Sequence, residues 1–539
     1  MRLIEGHVDV PILSMQNPLI ARRHIHAVAF ASYERKHVDE GGTAHNDVAS
    51  FFTAQGDQPA AVDDFEAWLR RRPEELGEAI SRITPADLRD ELEVETWGWV
   101  TALVDDQTGR NSGANFGWLA RATNEIRGDL NDIDSEVEAA AQRVHDLRQQ
   151  NQSDAAARQT RRQNALLKVR HTLERRRLIN YLATRVVLPK YGFPVDVVTM
   201  DVWRSGDRGA DGLNLDRDLR MAITDYAPGT QLPADKALWE STGLRVQPGR
   251  SLLSYLYGAC EDCGTFRTSL ITDDGDGDPG PCDGCGSNTL SESHRLVVPL
   301  FGFVGRRSNV KPGETKPPKS GWSQFHFSDY AGEPPERQRI SVGRSDMDAR
   351  FSRQGRITVV NSGPAGAGFR VCLSCGHTEA AANSSRPIAS EHSRPGIQQQ
   401  CSGILSHRHL GHQYFTDVVE LGLRFQITEV QARSFLYALL AAMPVAGIPA
   451  SDIDGTIRPG IEPSLVVFDT VPGGAGHVRR VRESLPRLVR EARRVAQDCD
   501  CAVTTSCYGC LRTYTNQRFH DELVRGDALR VLDELLGTP

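Results

Sequence analysis

The chain has 539 residues, 39% of them hydrophobic and 25% charged, which suits about three or four packed domains and excludes wholesale disorder or a low-complexity protein. Its 63 Lys+Arg against 70 Asp+Glu leave a net charge of −7, which excludes a generally basic nucleic-acid binder while leaving room for a local basic face. No apolar run of roughly 18 residues is present to span a bilayer, and residues 1–7 lack a signal core, so a cytoplasmic protein without membrane attachment is expected.

Residues 1–35 read as an extended, Pro-containing piece followed by a helix. Asn17 suits the N-cap and Pro18 the first helical position, and Arg22, Arg23, His24 and His26 crowd one turn. Residues 40–60 are polar and loop-like, and helical patterns resume over 63–76 and 85–103. From Trp118 to about Gln150, the apolar positions Ile126, Leu130, Ile133, Val137, Ala140, Val144 and Leu147 alternate by four and three, the seam of a coiled-coil-like helix. Residues 151–154 break it, and a second helix follows through Leu166, Val169 and Leu173. The first arm carries Asp129, Asp132, Asp134, Glu136 and Glu138; the second carries Arg161, Arg162, Lys168, Arg170, Arg175, Arg176 and Arg177. An antiparallel hairpin sets acid beside base, so pairing within the hairpin is favoured over DNA contact for the basic arm.

Residues 188–194 close the helical part and 195–202 read as a strand. Residues 305–338, rich in Pro, Gly and Lys, read as a long loop, and 416–443 as a buried helix. Residues 465–471 read as a strand, then come Pro472-Gly473-Gly474-Ala475-Gly476 and an Arg-rich helix. The fold class is mixed α/β (α+β) and multidomain. Residues 1–117 are expected as a helical segment and 118–185 as the hairpin. Residues 186–415 are expected as a strand-rich region with two zinc knuckle sites, and 416–539 as an α/β zinc-binding module.

All 11 cysteines fall into three short clusters, and an odd count in such a chain argues against a disulfide framework. Cys260-x2-Cys263-x18-Cys282-x2-Cys285 pairs two knuckles, each followed by a glycine, and two knuckles complete the tetrahedral sulfur site zinc prefers. A redox pair is the alternative for a single Cys-x-x-Cys, and two at this spacing disfavour it. Asp273, Asp274, Asp276 and Asp278 between the knuckles mimic a calcium loop without its closing Glu, so a solvated turn is expected. Cys372-x2-Cys375 with Cys401 is one ligand short. His377, His392, His407, His409 and His412 are candidates, with His392 preferred and His412 in reserve. Cys499-x-Cys501-x5-Cys507-x2-Cys510 can also close around one metal, zinc being preferred over iron–sulfur. About three structural zinc ions are expected.

No Walker loop, no Asp-Glu-x-Asp/His run and no His-Glu-x-x-His occurs, so no complete catalytic set is visible. The strand–Gly turn–helix element around 465–494 could hold an anion on its exposed amides. Its helix carries Arg479, Arg480, Arg482, Arg487, Arg490, Arg493 and Arg494. Contact with a nucleic-acid backbone, with Arg479, Arg480, Arg482 and Arg490 as the candidate residues, stands level with a merely solvated face.

Two of these stretches carry a resemblance: Pro472-Gly473-Gly474-Ala475-Gly476-His477, and Cys507-Tyr508-Gly509-Cys510-Leu511-Arg512-Thr513-Tyr514-Thr515-Asn516-Gln517. They resemble the zinc-binding C-terminal family of unknown function attached to DEAD/DEAH-type superfamily 2 helicases, including the mitomycin-repair type and those of DISARM-like phage defence. Residues 188–194, Tyr226-Ala227-Pro228-Gly229, and Asn17-Pro18 with Arg23-His24-Ile25-His26-Ala27 are similar to other stretches of those helicases. The resemblance implies zinc at Cys499, Cys501, Cys507 and Cys510. It implies a chain lacking the two RecA-like domains, Met1 lying about where they would end: a split half or a fragment, with ATP and magnesium only on a partner motor. A non-ATPase, DNA-binding half of such a helicase is therefore expected, acting in DNA repair or anti-phage defence. A scaffold of a defence complex and a nuclease with an unrecognised site are the rival readings.

Overall fold

The computed structural model describes residues 18–537 apart from 55, 57, 106–116, 186, 190–196, 203–212, 248–249, 272–279, 283–284, 311–320, 331–333, 383–386, 397–398 and 461. Asn17, the four aspartates of the calcium-like loop and residues 190–194 lie outside the described residues.

The described residues begin helical. Helices Pro18–Asp39, Ala61–Arg70, Glu74–Ile83 and Gly98–Val104 pack round a core that includes Phe51, Phe65, Trp68, Trp99 and Leu103. Three sequence expectations need correcting here. The supposed loop at 40–60 contains a helix, Val48–Phe52, started by a reciprocal Asp47–Ser50 capping box that carries Phe51 and Phe52 into the core. The single helix expected over 63–76 is two, because Pro73 heads the second and Arg72 before it turns left-handed, with φ 53°. The helix expected over 85–103 is a short 3-10 turn, Ala86–Leu88, and then Gly98–Val104.

The hairpin forms as expected, from Trp118–Gln149 and Ser153–Glu174 with Asn151 at φ 54° in the turn. Ile126, Leu130, Ile133, Ala140 and Val144 are buried on one arm, and Leu166, Val169 and Leu173 on the other. Arg170 Nε lies 2.7 Å from Asp134 and Arg162 Nη2 3.2 Å from Glu136, so basic arm pairs with acidic arm.

Beyond the hairpin the chain is strand-rich. One sheet runs in the order Asp216–Asp218, Val197–Asp201, Phe303–Arg307, Ala237–Leu244, Gln231–Ala234. The larger sheet is built on two long antiparallel strands, Asp346–Asn361 and Ile404–Leu423. Glu336–Ser341 and Ser323–Tyr330 pair with the first of these, and His294–Val297 with the second. Residues 305–338 are therefore not one loop, since Phe303–Arg307, Ser323–Tyr330 and the start of Glu336–Ser341 are strands. The helix expected over 416–443 is also corrected. Its first part belongs to the strand Ile404–Leu423, and the helix Glu429–Ala441 begins only at the Thr428–Gln431 capping box. A run buried on both faces, as Leu410–Leu421 largely is, carries no period that separates strand from helix. The mixed α+β expectation holds. Helices Glu429–Ala441, His477–Gln497 and Arg525–Leu536 pack together with Val419, Leu421 and Val467 in a second core. The helical part meets the sheet at Phe415, whose ring is approached by the guanidinium groups of Arg185, at 5.4 Å, and Arg356, at 5.2 Å.

Candidate metal centres and nucleic-acid interface

Each Cys-x2-Cys pair sits on a tight turn whose form follows from sequence. The amides of Gly264, Gly286 and Gly376 donate back to the carbonyls of Cys260, Cys282 and Cys372, at 2.9, 2.6 and 2.8 Å. All three glycines have φ between 67° and 85°, a region where a Cβ is penalised. At Gly264 and Gly376 a Cβ would also strike the Pro459 and Leu244 carbonyls. The knuckle at Cys507 lacks the glycine; Leu511 N donates to Cys507 O at 3.1 Å instead.

The ligand atoms converge as a tetrahedral ion requires. With Zn–S near 2.3 Å, sulfurs at the corners of a tetrahedron lie about 3.8 Å apart. In the first cluster Cys260 and Cys285 are 3.6 Å apart, and Cys263 and Cys282 3.5 Å. In the last, Cys499 lies 3.6 Å from Cys501 and 3.4 Å from Cys507, and Cys510 lies 3.8 Å from Cys501 and 4.0 Å from Cys507. In the middle cluster Cys372, Cys375 and Cys401 are joined by His392, all four ligand atoms lying within 4.8 Å of one another. His392 Nε2 is 3.3 Å from Cys375 Sγ, while its Nδ1 meets the Ser390 carbonyl at 2.7 Å, which holds the proton on Nδ1 and turns Nε2 toward the sulfurs. The other four histidines are elsewhere engaged: His377 with Ser393 O, His407 with Ala367 O, His409 with Tyr257, and His412 stacked on Tyr414.

Crowded thiols share protons unevenly. Hydrogen bonding from Cys375 pushes the Cys372 thiol down to about 4, and the same contact pushes Cys375 up. Amides of His377, Gly403 and Gly509 point at Cys375, Cys401 and Cys507 at 3.3–3.4 Å, a donor set that favours thiolate. The residues present thus fit zinc in all three places. Each set already supplies four protein ligands, which is the closed, structural form of site.

The Gly-rich turn departs from expectation. Gly473, Gly474 and Gly476 adopt φ 85°, 70° and 83°, and the helix His477–Gln497 starts there. Its first amides, however, are taken by the chain's own carboxylate: Asp469 accepts from Ala475 N at 2.5 Å, Val478 N at 2.9 Å and His477 N at 3.1 Å. The turn is therefore not an open anion site, because a buried Asp occupies the donors. On the carbonyl side Arg23, 1% exposed, donates to Gly473 O and Gly474 O. A Cβ on Gly474 would run into the Asp417 carboxyl, which burial, with Asp469 beside it, pushes up to about 8. The crowded turn of Arg22–His26 is thus largely interior, with His26 bonded to Val187 O at 2.9 Å.

The candidate arginines differ in their engagement. Arg479 pairs with Glu483 at 2.9 Å, an exposed i,i+4 contact, and Arg480 reaches Gly447 O at 3.4 Å. Arg482 is held by Glu336 at 2.6 Å and lies over the Phe351 ring. Arg490 is exposed and has no ion pair among the described residues.

Sequence reasoning missed Asp469 as the cap and Arg23 as its counterpart. The Asp at a strand end just before a glycine run was the available signal for the first; for Arg23, 450 residues from its partner, there was none.

Residues 435–511, which end just past the last cysteine, match the family described as MrfA Zn-binding domain. The resemblance read from residues 472–517 thus has an independent match. The chain is also similar to the Druantia protein DruE of Escherichia coli (strain UMEA 4076-1), at 22% identity over 586 aligned positions, covering 97% of this chain and 30% of DruE. Among solved structures, the MrfA helicase bound to DNA aligns with 63% of this chain and 34% of its own, at 12% identity and a TM-score of 0.31, and a second MrfA structure does so at 0.28. The chain thus spans about a third of the relatives it matches. No described helix is long and apolar enough to cross a membrane.

Proposed function

We propose that this chain is the non-motor, zinc-stabilised part of a superfamily 2 DNA helicase, which grips DNA and docks to a RecA-like ATPase in DNA repair or anti-phage defence. One observation carries the reading: the MrfA-type match falls on the segment where the four sulfurs of Cys499, Cys501, Cys507 and Cys510 converge. When bound, zinc closes each set into a rigid crosslink between chain segments. Cys260, Cys263, Cys282 and Cys285 would hold one ion, Cys372, Cys375, His392 and Cys401 a second, and the last four cysteines a third.

On this reading the chain supplies grip and shape, and ATP with magnesium belongs to the motor. Arg479, Arg480, Arg482 and Arg490 are the proposed backbone contacts, Arg490 and the weakly paired Arg479 being the readiest to exchange a carboxylate for a phosphate. Binding of the purified chain to DNA should weaken steeply with salt. Replacing Arg479, Arg482 and Arg490 by Glu should reduce affinity roughly tenfold or more and flatten the slope. A chain that binds no DNA at low salt yet still associates with a RecA-like motor would be a scaffold instead.

A further inference from the structure

Among the described residues, the most exposed large hydrophobic side chains are Tyr508 and Tyr514, each at 65%. Neither sits on a loose tip. Tyr508 lies inside the last Cys-x2-Cys knuckle and meets His520 edge-on at 5.4 Å. Tyr514 rides on a loop fixed by Asn516, itself 2% exposed. Asn516 Oδ1 accepts from Thr513 N at 2.7 Å and contacts His520 Nε2 at 3.0 Å, and its Nδ2 donates to Leu511 O at 2.8 Å. His520 therefore links the two tyrosine-bearing loops.

The same segment carries two cations with neutral partners. Arg512 donates to Ser506 Oγ at 3.0 Å and His520 O at 3.0 Å, and Arg518 to Gln324 Oε1 at 2.7 Å. Among the described residues neither forms an ion pair, whereas Arg493 and Arg494 on the nearby helix do. Fixing a loop costs conformational entropy, and here the ordering serves to hold aromatic rings out in water beside un-neutralised guanidinium groups. Rigid exposed rings with flanking cations are what unpaired bases and their phosphates require, while a duplex keeps its base faces covered.

We propose that residues 507–520 form a contact for single-stranded nucleic acid, with Tyr508 and Tyr514 stacking on bases and Arg512 and Arg518 holding the phosphates between them. This rests on the DNA-binding reading above and adds the strand form and the site.

The test is anisotropy of the full chain with a labelled oligothymidine of about 15 nucleotides and a duplex of similar length, zinc content being measured in parallel. Tyr508→Ala with Tyr514→Ala should weaken single-strand binding roughly tenfold or more and leave duplex binding within about twofold. The Tyr→Phe pair should bind within about twofold of the parent, because the ring face is retained. Arg518→Glu should weaken binding and flatten the salt slope by about 0.7. Should the Tyr508 change cost zinc, Tyr514→Ala alone, outside the sulfur set, should still lose about threefold or more. An alanine pair that keeps its zinc and binds single strands like the parent overturns the proposal, as does equal loss on both DNA forms. A parent chain that binds neither form overturns the DNA-binding reading, and this inference with it.

Discussion

The first sulfur cluster and the last differ in what surrounds them. Cys260 and Cys263 lie between the strands Ser254–Ala259 and Phe266–Leu270 at one side of the large sheet, Cys282 and Cys285 precede the strand His294–Val297, and Cys285 is exposed. The last cluster lies between two helices that complete a core. Arg525, at the start of Arg525–Leu536, donates to the Ala496 carbonyl at the end of His477–Gln497, at 2.9 Å, and to Cys501 O at 2.5 Å. Arg525 N and Gly526 N bond to Thr505 O and Val503 O, both at 2.8 Å, and Cys510 and Leu511 are buried in that core. Similar sulfur geometry therefore does two jobs: at the sheet side it ties Cys260 and Cys263 to Cys282 and Cys285, and between the helices it closes a hydrophobic core.

The difference has a measurable size. Cys510→Ser should destabilise the C-terminal helices by roughly 3 kcal/mol or more, because losing a buried metal ligand removes binding energy that is folding energy. Cys285→Ser should leave those helices intact and loosen only its own loop. Hydrogen exchange in Arg525–Leu536 checks both, and equal loss of protection in the two variants would break the comparison.

Where the module joins the sheet, Asp417 makes stability depend on pH. Its carboxyl, pushed up to about 8 by burial, keeps a proton that the unfolded chain releases near about 3.9. The stability it gives is therefore fully present below the lower value and is lost as pH rises through the upper one. Asp417→Asn, which has no proton to lose, should flatten the decline in stability from about pH 5 to 8, as read from denaturant melts. An unchanged slope would assign the dependence to another group.

The smallest effects belong to the basic helix. Arg479→Glu and Arg490→Glu should each alter stability by less than about 0.5 kcal/mol, as exposed positions do. Arg482→Glu should cost more, since it sets a carboxylate against Glu336 and removes the guanidinium from Phe351. Thermal melts of the three single variants would order them.

Local chemistry made much of this molecule readable in advance. The heptad seam from Ile126 to Leu147 fixed the hairpin because its period of 3.5 needs no distant partner to be recognised, and the charge of its two arms declared their pairing. The cysteine spacings marked three ligand sets because a knuckle is a local turn, with glycine supplying the positive φ at three of the four knuckles. Even His392 was within reach, since it lies only nine residues before Cys401.

Other features were decided by residues far apart. Whether 416–423 is strand or helix depended on pairing with residues 347–355 and 465–468, and a run buried on both faces shows no period to read. Phe51 and Phe52 looked like part of a polar loop until the helices around them supplied a core to enter. The Gly473–Gly476 turn looked open to an anion because sequence shows amides at a helix start but not what fills them. Asp469, six residues before Ala475, was a local signal for what fills those amides, but only the tertiary structure brings Arg23 onto the carbonyls, because a guanidinium is buried only where folding has already assembled its partners.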